Sequence, residues 1–309
     1  DGVMGSVQDD AGKTFYADGE GGAGKTFLYK KLLRRVRSEG WVPLAVAMSG
    51  IAALLLPGGT TAHHRFRLPV PLPLTDAVCN VGTTTDLAGL LREARLLIWD
   101  EAPTASKSAI DAVDRCLRDV RGVARPFGGL TTLLGGDFRQ IPPVLRHIPR
   151  GEFAPFTIKA SRIWTTPDDV ERYTLPRNQR AINDPAYADF LRAIGDGLYS
   201  GYPASEDPLL REPASVLLPA SISAPEAWTG NTLLDWVYEG VLRDADRDVA
   251  EQLNFYQDRA VITPTNDAAS ALNEEMLHRF PGLPREYFSA DPIAEDGMDT
   301  VSYPIEFLN

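Results

Sequence analysis

The sequence is short of the features that mark secreted, membrane-spanning and metal-clasping chains. It holds two cysteines in 309 residues, Cys79 and Cys116. They stand far apart in the chain and in no metal-ligand spacing, so neither a disulfide framework nor a zinc site is supported, and a reducing compartment is expected. Long apolar runs are missing too: the longest, Ala45–Leu56, is broken by Ser49 and Gly50 and falls short of the roughly 18 to 20 residues that a membrane span needs. The chain opens on Asp1-Gly2-Val3, with neither an initiator Met nor a basic patch ahead of an apolar run, as expected of a fragment whose start lies upstream. No internal repeat, heptad or low-complexity tract occurs, and the absence of G-x-S-x-G leaves an acyl-transfer hydrolase unsupported. His147 and His278 have no partners at ligand spacing. A net charge of −11 excludes a protein that coats nucleic acid by bulk positive charge, because phosphate binding relies on Lys and Arg displacing counterions. Any nucleic-acid site must be a local groove.

What is present is an alternation of short apolar runs with helical periodicity, the pattern of an α/β domain with a parallel sheet. Strands are expected at Thr14–Ala17, Pro43–Ala47, Leu96–Trp99 and Thr131–Leu134. Helices are expected from Lys25 and over Ser108–Arg121, where Ile110, Val113, Leu117 and Val120 recur at three- and four-residue steps as a core stripe. Pro69, Pro71 and Pro73 keep Phe66–Leu74 from being helical and point to an extended surface insertion over about 66–85. After about residue 150 the pattern loosens, with Pro-rich connections near Pro203–Pro219 and an amphipathic helix near Thr232–Leu242. A strand at Arg259–Thr263 then leads into a helix capped by Thr265 or Asn266. The expected organisation is a first domain over 1–165 and, over 166–309, a linker with the start of a second α/β domain.

Gly19-Glu20-Gly21-Gly22-Ala23-Gly24-Lys25-Thr26 fits G-x-x-x-x-G-K-[ST] between a strand and a helix. Glycines let the loop curl so that backbone N–H groups, including those of Gly21, Gly22, Ala23 and Gly24, face a phosphate, and the helix N-terminus adds partial positive charge. Lys25 supplies a point charge between β- and γ-phosphates, and the Thr26 hydroxyl is a Mg²⁺ ligand. A chance match in a chain of this length has a probability on the order of 1%. Gly12-Lys13-Thr14 is a decoy, with Val7 where the first Gly belongs and no helix after it.

The loop alone fits a kinase, a GTPase or a translocating motor. Leu96-Leu97-Ile98-Trp99-Asp100-Glu101 narrows the choice, since a buried strand ending in two carboxylates sets Asp100 to hold Mg²⁺ through water and Glu101 to polarise an attacking water. N-K-x-D, expected of a GTPase, is absent. In Leu134-Gly135-Gly136-Asp137-Phe138-Arg139-Gln140, Gln140 is the natural sensor of the γ-phosphate, although the segment also reads as an ordinary Gly-rich turn. Lys30, Lys31, Arg34, Arg35 and Arg37 read as a solvated helix face rather than a DNA contact.

In this order the motifs resemble the Pif-type DNA helicases of superfamily one, including those encoded by Helitron transposons. The resemblance rests on Asp18–Phe27, Ser49–Leu56 with Gly59–His63, Leu97–Pro103, Leu134–Gln140, Leu175–Arg180 and Ile262–Asn266. Phe288–Asp291 and Tyr303–Asn309 extend it over nearly the whole chain. It implies two RecA-like domains, the second incomplete, and a motor that hydrolyses ATP with Mg²⁺ and moves 5′ to 3′ on single-stranded DNA as a monomer, opening duplex junctions. It further implies action in the nucleus, with the mitochondrion as the alternative, and the family's roles in DNA repair, recombination and telomere maintenance.

Residue by residue, the resemblance makes Arg180 an arginine finger reaching the γ-phosphate from the second domain. Ser49, Gly50, Thr60 and His63 from the first domain, with Thr263, Thr265 and Asn266 from the second, are implied to grip the DNA backbone. Phe66 is either a base-stacking wedge or a core aromatic. His64 stands where the family usually has Ser, and Gln179 where it usually has Met. The fifth and sixth motifs are expected beyond Asn309, and the adenine-recognising Gln before Asp1. Two other readings stay open: a decayed transposon-derived fragment that binds nucleotide or DNA without turnover, and a P-loop small-molecule kinase.

Overall fold

The computed structural model describes residues 2–145, 148–166, 170–198, 229–238, 254–263 and 265–279, with 223 and 285. The chain divides into two compact units, Asp1–Val216 and Leu217–Asn309. The first holds six strands: β1 (Thr14–Gly19), β2 (Val42–Ala47), β3 (Thr60–Thr61), β4 (Ala94–Asp100), β5 (Thr131–Gly136) and β6 (Val170–Leu175). They form one sheet in the order β3-β2-β4-β5-β1-β6, and every neighbouring pair is parallel. Its helices are α1 (Gly2–Gln8), α2 (Lys25–Ser38), α3 (Gly50–Leu54), α4 (Ala62–Phe66), α5 (Asp86–Glu93), α6 (Lys107–Arg121), α7 (Arg162–Thr165) and α8 (Pro185–Gly195).

The central strands are apolar throughout because each is buried on both faces. Along β4, Leu96 and Ile98 join one core with Tyr29, Leu33 and Val36 of α2, while Leu97 and Trp99 join the other with Ile110, Val113 and Leu117 of α6. The expected α6 stripe is therefore the buried face of that helix. Ser106 opens α6, its hydroxyl accepting from the Ala109 amide at 3.2 Å. The four strands expected in the first half of the sequence are present and run slightly further, as β1, β2, β4 and β5.

Three expectations are corrected. The limit at residue 165 is too early: β6 lies beyond it and pairs along β1 from Thr14↔Val170 to Gly19↔Leu175, so the first unit runs on to Val216. Phe66 is no wedge, since it is fully buried and stacks on Trp99 with ring centroids 6.3 Å apart. Beyond Phe66 the proline segment follows, as expected, a non-helical and largely exposed path, and it is anchored to the core. Leu68 and Ala77 are buried, the Ala77 amide donates to Ser108 Oγ at 3.4 Å, and Arg115 Nη2 donates to the Ala77 carbonyl at 2.7 Å. Cys79, remote from Cys116 in sequence, packs against the core cluster that contains it, and both are free thiols. Finally, the described residues of Arg259–Thr263 form no regular strand.

In the second unit, α9 (Gly230–Val237) starts at a Thr229–Thr232 capping box, and α10 (Asn266–Arg279) starts where Thr265 Oγ1 accepts from the Ala268 amide at 3.3 Å. Arg279 pairs with Asp235 at 2.6 Å and Glu275 at 2.8 Å. His147, Pro203–Pro219, 239–242, Pro264, Phe288–Asp291 and Tyr303–Asn309 lie outside the described residues. Among the described residues no helix is long and apolar enough to cross a membrane.

Because Phe66 fills core space against Trp99, Phe66→Ala is expected to lower the unfolding free energy of the first unit by about 3 to 5 kcal/mol. Urea denaturation followed by tryptophan fluorescence reads this, and a loss below about 1 kcal/mol contradicts the core assignment.

Candidate nucleotide-binding site

Parallel pairing brings the carboxyl ends of all six strands to one edge of the sheet. The registers Ala47↔Asp100, Trp99↔Leu134, Asp18↔Gly136 and Gly19↔Leu175 hold those ends nearly level. The loops leaving β4, β5, β1 and β6 thus emerge side by side. They carry Asp100-Glu101, Asp137–Gln140, Gly19–Thr26 and Asn178–Arg180.

The phosphate loop bends back onto the first turn of α2. Lys25 is buried, and its Nζ donates to the Gly19 carbonyl at 2.5 Å and the Glu20 carbonyl at 3.2 Å. Its ammonium is thereby held at the loop while keeping donor capacity for a ligand, since –NH₃⁺ has three hydrogens. Thr26 follows, half-buried. Gly22 has φ +89°, and a Cβ there would lie 2.7 Å from both Asn178 Oδ1 and Arg180 Cγ, so this position requires glycine on backbone and spatial grounds alike.

Asp100 ends β4 buried, and its Oδ1 accepts from the Glu101 amide at 2.9 Å. Glu101 turns the chain sharply, at φ 51°, a left-handed conformation costing a non-glycine residue about 1 kcal/mol. That turn parts the two carboxylates: Asp100 stays inside and Glu101 is half-exposed. Burial first, then the Glu101 charge, raises the Asp100 carboxyl to about 6, against the pull of the Glu101 amide and of Lys25. A buried acid this reluctant to ionise suits a site where a divalent cation compensates it, so Asp100 and Thr26 fit the Mg²⁺ expected with a nucleoside triphosphate.

Gln140 stands exposed at the end of a turn in which its amide donates to the Asp137 carbonyl at 3.2 Å. Arg139 fastens that turn by pairing with Asp137 at 3.3 Å and Asp196 at 2.7 Å. Arg180 belongs to the first unit and not to the second as expected. A Cβ built on Gly21 would lie 3.9 Å from Arg180 Nη1 and 3.8 Å from Gln140 Nε2, so both side chains flank the loop. With Glu20, Gly21, Asn178 and Arg192 they line a cavity of about 600 Å³. Glu20, Asn178, Arg192 and Tyr29 are site residues that sequence reasoning missed. Glu20 pairs with Arg192 of α8 at 2.7 Å. The Tyr29 hydroxyl occupies the space that a Gly135 Cβ would fill, and burial followed by the charges of Asp100 and Glu101 holds the phenol well above its ordinary pKa. Glu20 and Asn178 stand inside recognised motifs, and nothing in those motifs announces their contacts.

The residues expected at DNA follow β2 and β3, at the opposite end of the same edge. Ser49 caps α3, accepting from the Ala52 amide at 3.2 Å, and is exposed beside Gly50. Thr60 pairs in register with Val46, and His63 lies half-buried in α4, its pKa lowered by burial. Thr263, Thr265 and Asn266 lie in the second unit, where the Thr263 hydroxyl donates to the Thr265 carbonyl at 2.9 Å.

A phosphate loop between strand and helix, with an acidic pair on another strand of a parallel sheet, defines a RecA-like P-loop NTPase. The family model described as PIF1-like helicase matches residues 1–201, and the chain belongs to that family. The human ATP-dependent DNA helicase PIF1 is 30% identical over 170 residues, covering 52% of this chain and 26% of that protein. The Pif1 of Psychrobacter sp. (strain PRwf-1) is 32% identical over 135 residues, covering 43% and 20%. A Bacteroides Pif1 solved with ADP-AlF3 and single-stranded DNA superposes with a TM-score of 0.52 at 25% identity, covering 64% of this chain and 46% of that one. A structure of two coordinating Pif1 helicases at forked duplex DNA superposes with a TM-score of 0.53 at 26% identity, covering 64% and 47%. The chain thus spans about a quarter of these curated relatives and under half of the solved chains.

The Asp100 shift carries a pH signature. A raised folded-state pKa means that the protonated form suits the native site better, so its stability is fully present below about pH 4 and lost as pH rises through about 6. In chelator, Asp100→Asn, which keeps an acceptor for the Glu101 amide, is expected to gain about 3 kcal/mol at pH 7.5 and little at pH 4. Urea titrations across that range test this, and a gain that does not depend on pH contradicts it.

Proposed function

We propose that this chain is the nucleotide-hydrolysing core of an ATP-dependent DNA helicase that moves 5′ to 3′ along single-stranded DNA. The observation that carries the reading is the convergence of Lys25, Asp100, Gln140 and Arg180 around one phosphate loop, with Ser49–Gly50 and Thr60–His63 along the same sheet edge. Family membership supports it, as does the likeness to a Pif1 bound to ADP-AlF3 and single-stranded DNA.

In this reading, the loop amides and Lys25 hold the β- and γ-phosphates. Thr26 and, through water, Asp100 would hold Mg²⁺, which would supply charge neutralisation at the phosphates. Glu101 orients and deprotonates the attacking water, Gln140 senses the γ-phosphate, and Arg180 stabilises the charge that builds in the transition state. The residues after β2 and β3, with Thr263, Thr265 and Asn266, contact the DNA backbone through hydroxyls and amides, which suits a chain of net charge −11 better than a broad basic face would. The motor acts as a monomer on single strands and duplex junctions in the nucleus, with the mitochondrion as the alternative.

Phosphate release measured with and without single-stranded DNA tests the reading, and stimulation by DNA is expected. Lys25→Ala is expected to lower turnover by roughly 10² to 10³; activity that persists in this variant refutes the site. Phosphate transfer to a metabolite, indifferent to DNA, refutes the helicase reading, and absence of hydrolysis in the unaltered chain refutes an active core.

A further inference from the structure

Resting on the nucleotide-site reading above, we infer that Asn178 is a positioning residue whose side-chain carbonyl sets the direction in which Arg180 enters the phosphate site. Its Oδ1 accepts two backbone hydrogen bonds, from Arg180 at 3.0 Å and from Ala181 at 3.2 Å. Those bonds close a turn over Asn178–Ala181 and fix the backbone from which the Arg180 side chain departs. Between them, the Gln179 amide donates to the Gly22 carbonyl at 3.0 Å, so the turn is fastened directly to the phosphate loop. The approach is close enough that a Cβ on Gly22 would overlap both Asn178 Oδ1 and Arg180 Cγ.

The chemistry explains why the job needs a fixed backbone. A guanidinium that stabilises transition-state charge acts through donors aimed at the phosphoryl oxygens, and a displacement of about 1 Å costs on the order of 10² in rate. Arg180 is exposed and has no acidic partner close enough for an ion pair among the described residues. Its side chain is long, so its aim derives from the backbone that Asn178 closes. Asn178 itself is half-buried, and its oxygen is taken up by the two amides. It therefore acts through Arg180 and not on the phosphate.

The test compares the unaltered chain with Asn178→Ala, Asn178→Ser, Arg180→Ala and the Asn178→Ala/Arg180→Ala double variant. Each is titrated with MgADP and with MgADP–aluminium fluoride, a mimic of the transferring phosphoryl group. Asn178→Ala is expected to bind MgADP within about twofold of the unaltered chain and to lose about tenfold on the fluoride complex. Asn178→Ser, whose hydroxyl can accept the same amides, recovers most of that loss, and the double variant binds the mimic no more weakly than Arg180→Ala. Equal weakening of both ligands, no recovery by Ser, or full additivity in the double variant overturns the assignment. If Asn178→Ala does not fold, Asn178→Gln carries the same test, because its extra methylene moves the acceptor while keeping the amide. An unaltered chain that binds neither ligand overturns the nucleotide site first and the role of Asn178 with it, an outcome recognisable without any variant.

Discussion

Parallel pairing is the constraint on which everything else in the first unit depends. In an antiparallel sheet, successive loops would emerge at alternate ends; here all six strands release their loops at one edge. Residues as remote in sequence as Lys25, Asp100, Gln140 and Arg180 become neighbours only because four registers agree to within about a residue or two. The same constraint demands helices on both faces, which is why the sheet separates two hydrophobic cores rather than covering one.

The electrostatics of the edge follow from that burial. Lys25 is kept in place by two carbonyl oxygens, a neutral arrangement that leaves its charge uncancelled. Asp100 is buried nearby and resists ionisation, and Tyr29 behind it stays protonated. The acid therefore does not neutralise the lysine with a full ion pair. The ground state is prepared for an anion at one point and a cation at another, and the protein structure, rather than mobile solvent, holds both prepared.

The central strands and the phosphate loop were legible because their information is local. Apolar runs mark doubly buried strands, and the glycine-lysine spacing is dictated by a loop contained within eight residues. What escaped was information carried by partners. Strand β6 reads Val-Glu-Arg-Tyr-Thr-Leu and lies at the sheet edge with most residues exposed, so no hydrophobic pattern announced it and the first domain was ended too soon. Phe66 admitted two readings until Trp99 appeared against it. Arg180 was recognised through resemblance, yet its membership of the first unit depends on β6. Asn178 and Arg192 were invisible because a hydrogen-bond acceptor and an exposed arginine look alike wherever they fall.

The ion pair between Glu20 and Arg192 has a consequence for how such chains can be recombined. The phosphate-loop pattern accepts any residue at the position of Glu20, so by motif alone the loop is a portable cassette. Here that open position is joined to α8, and without it Arg192 keeps, among the described residues, the mostly exposed Asp189 at 3.0 Å. A single partly exposed pair of this kind is worth only about 1 kcal/mol, so a chimera carrying a foreign loop would still fold. It would fold with its loop still joined to the Asn178–Arg180 turn through the Gln179 amide and the Gly22 carbonyl, but without its tie to α8. Loop and helix are a matched set, and the unit of exchange between relatives is the pair of segments and not the motif.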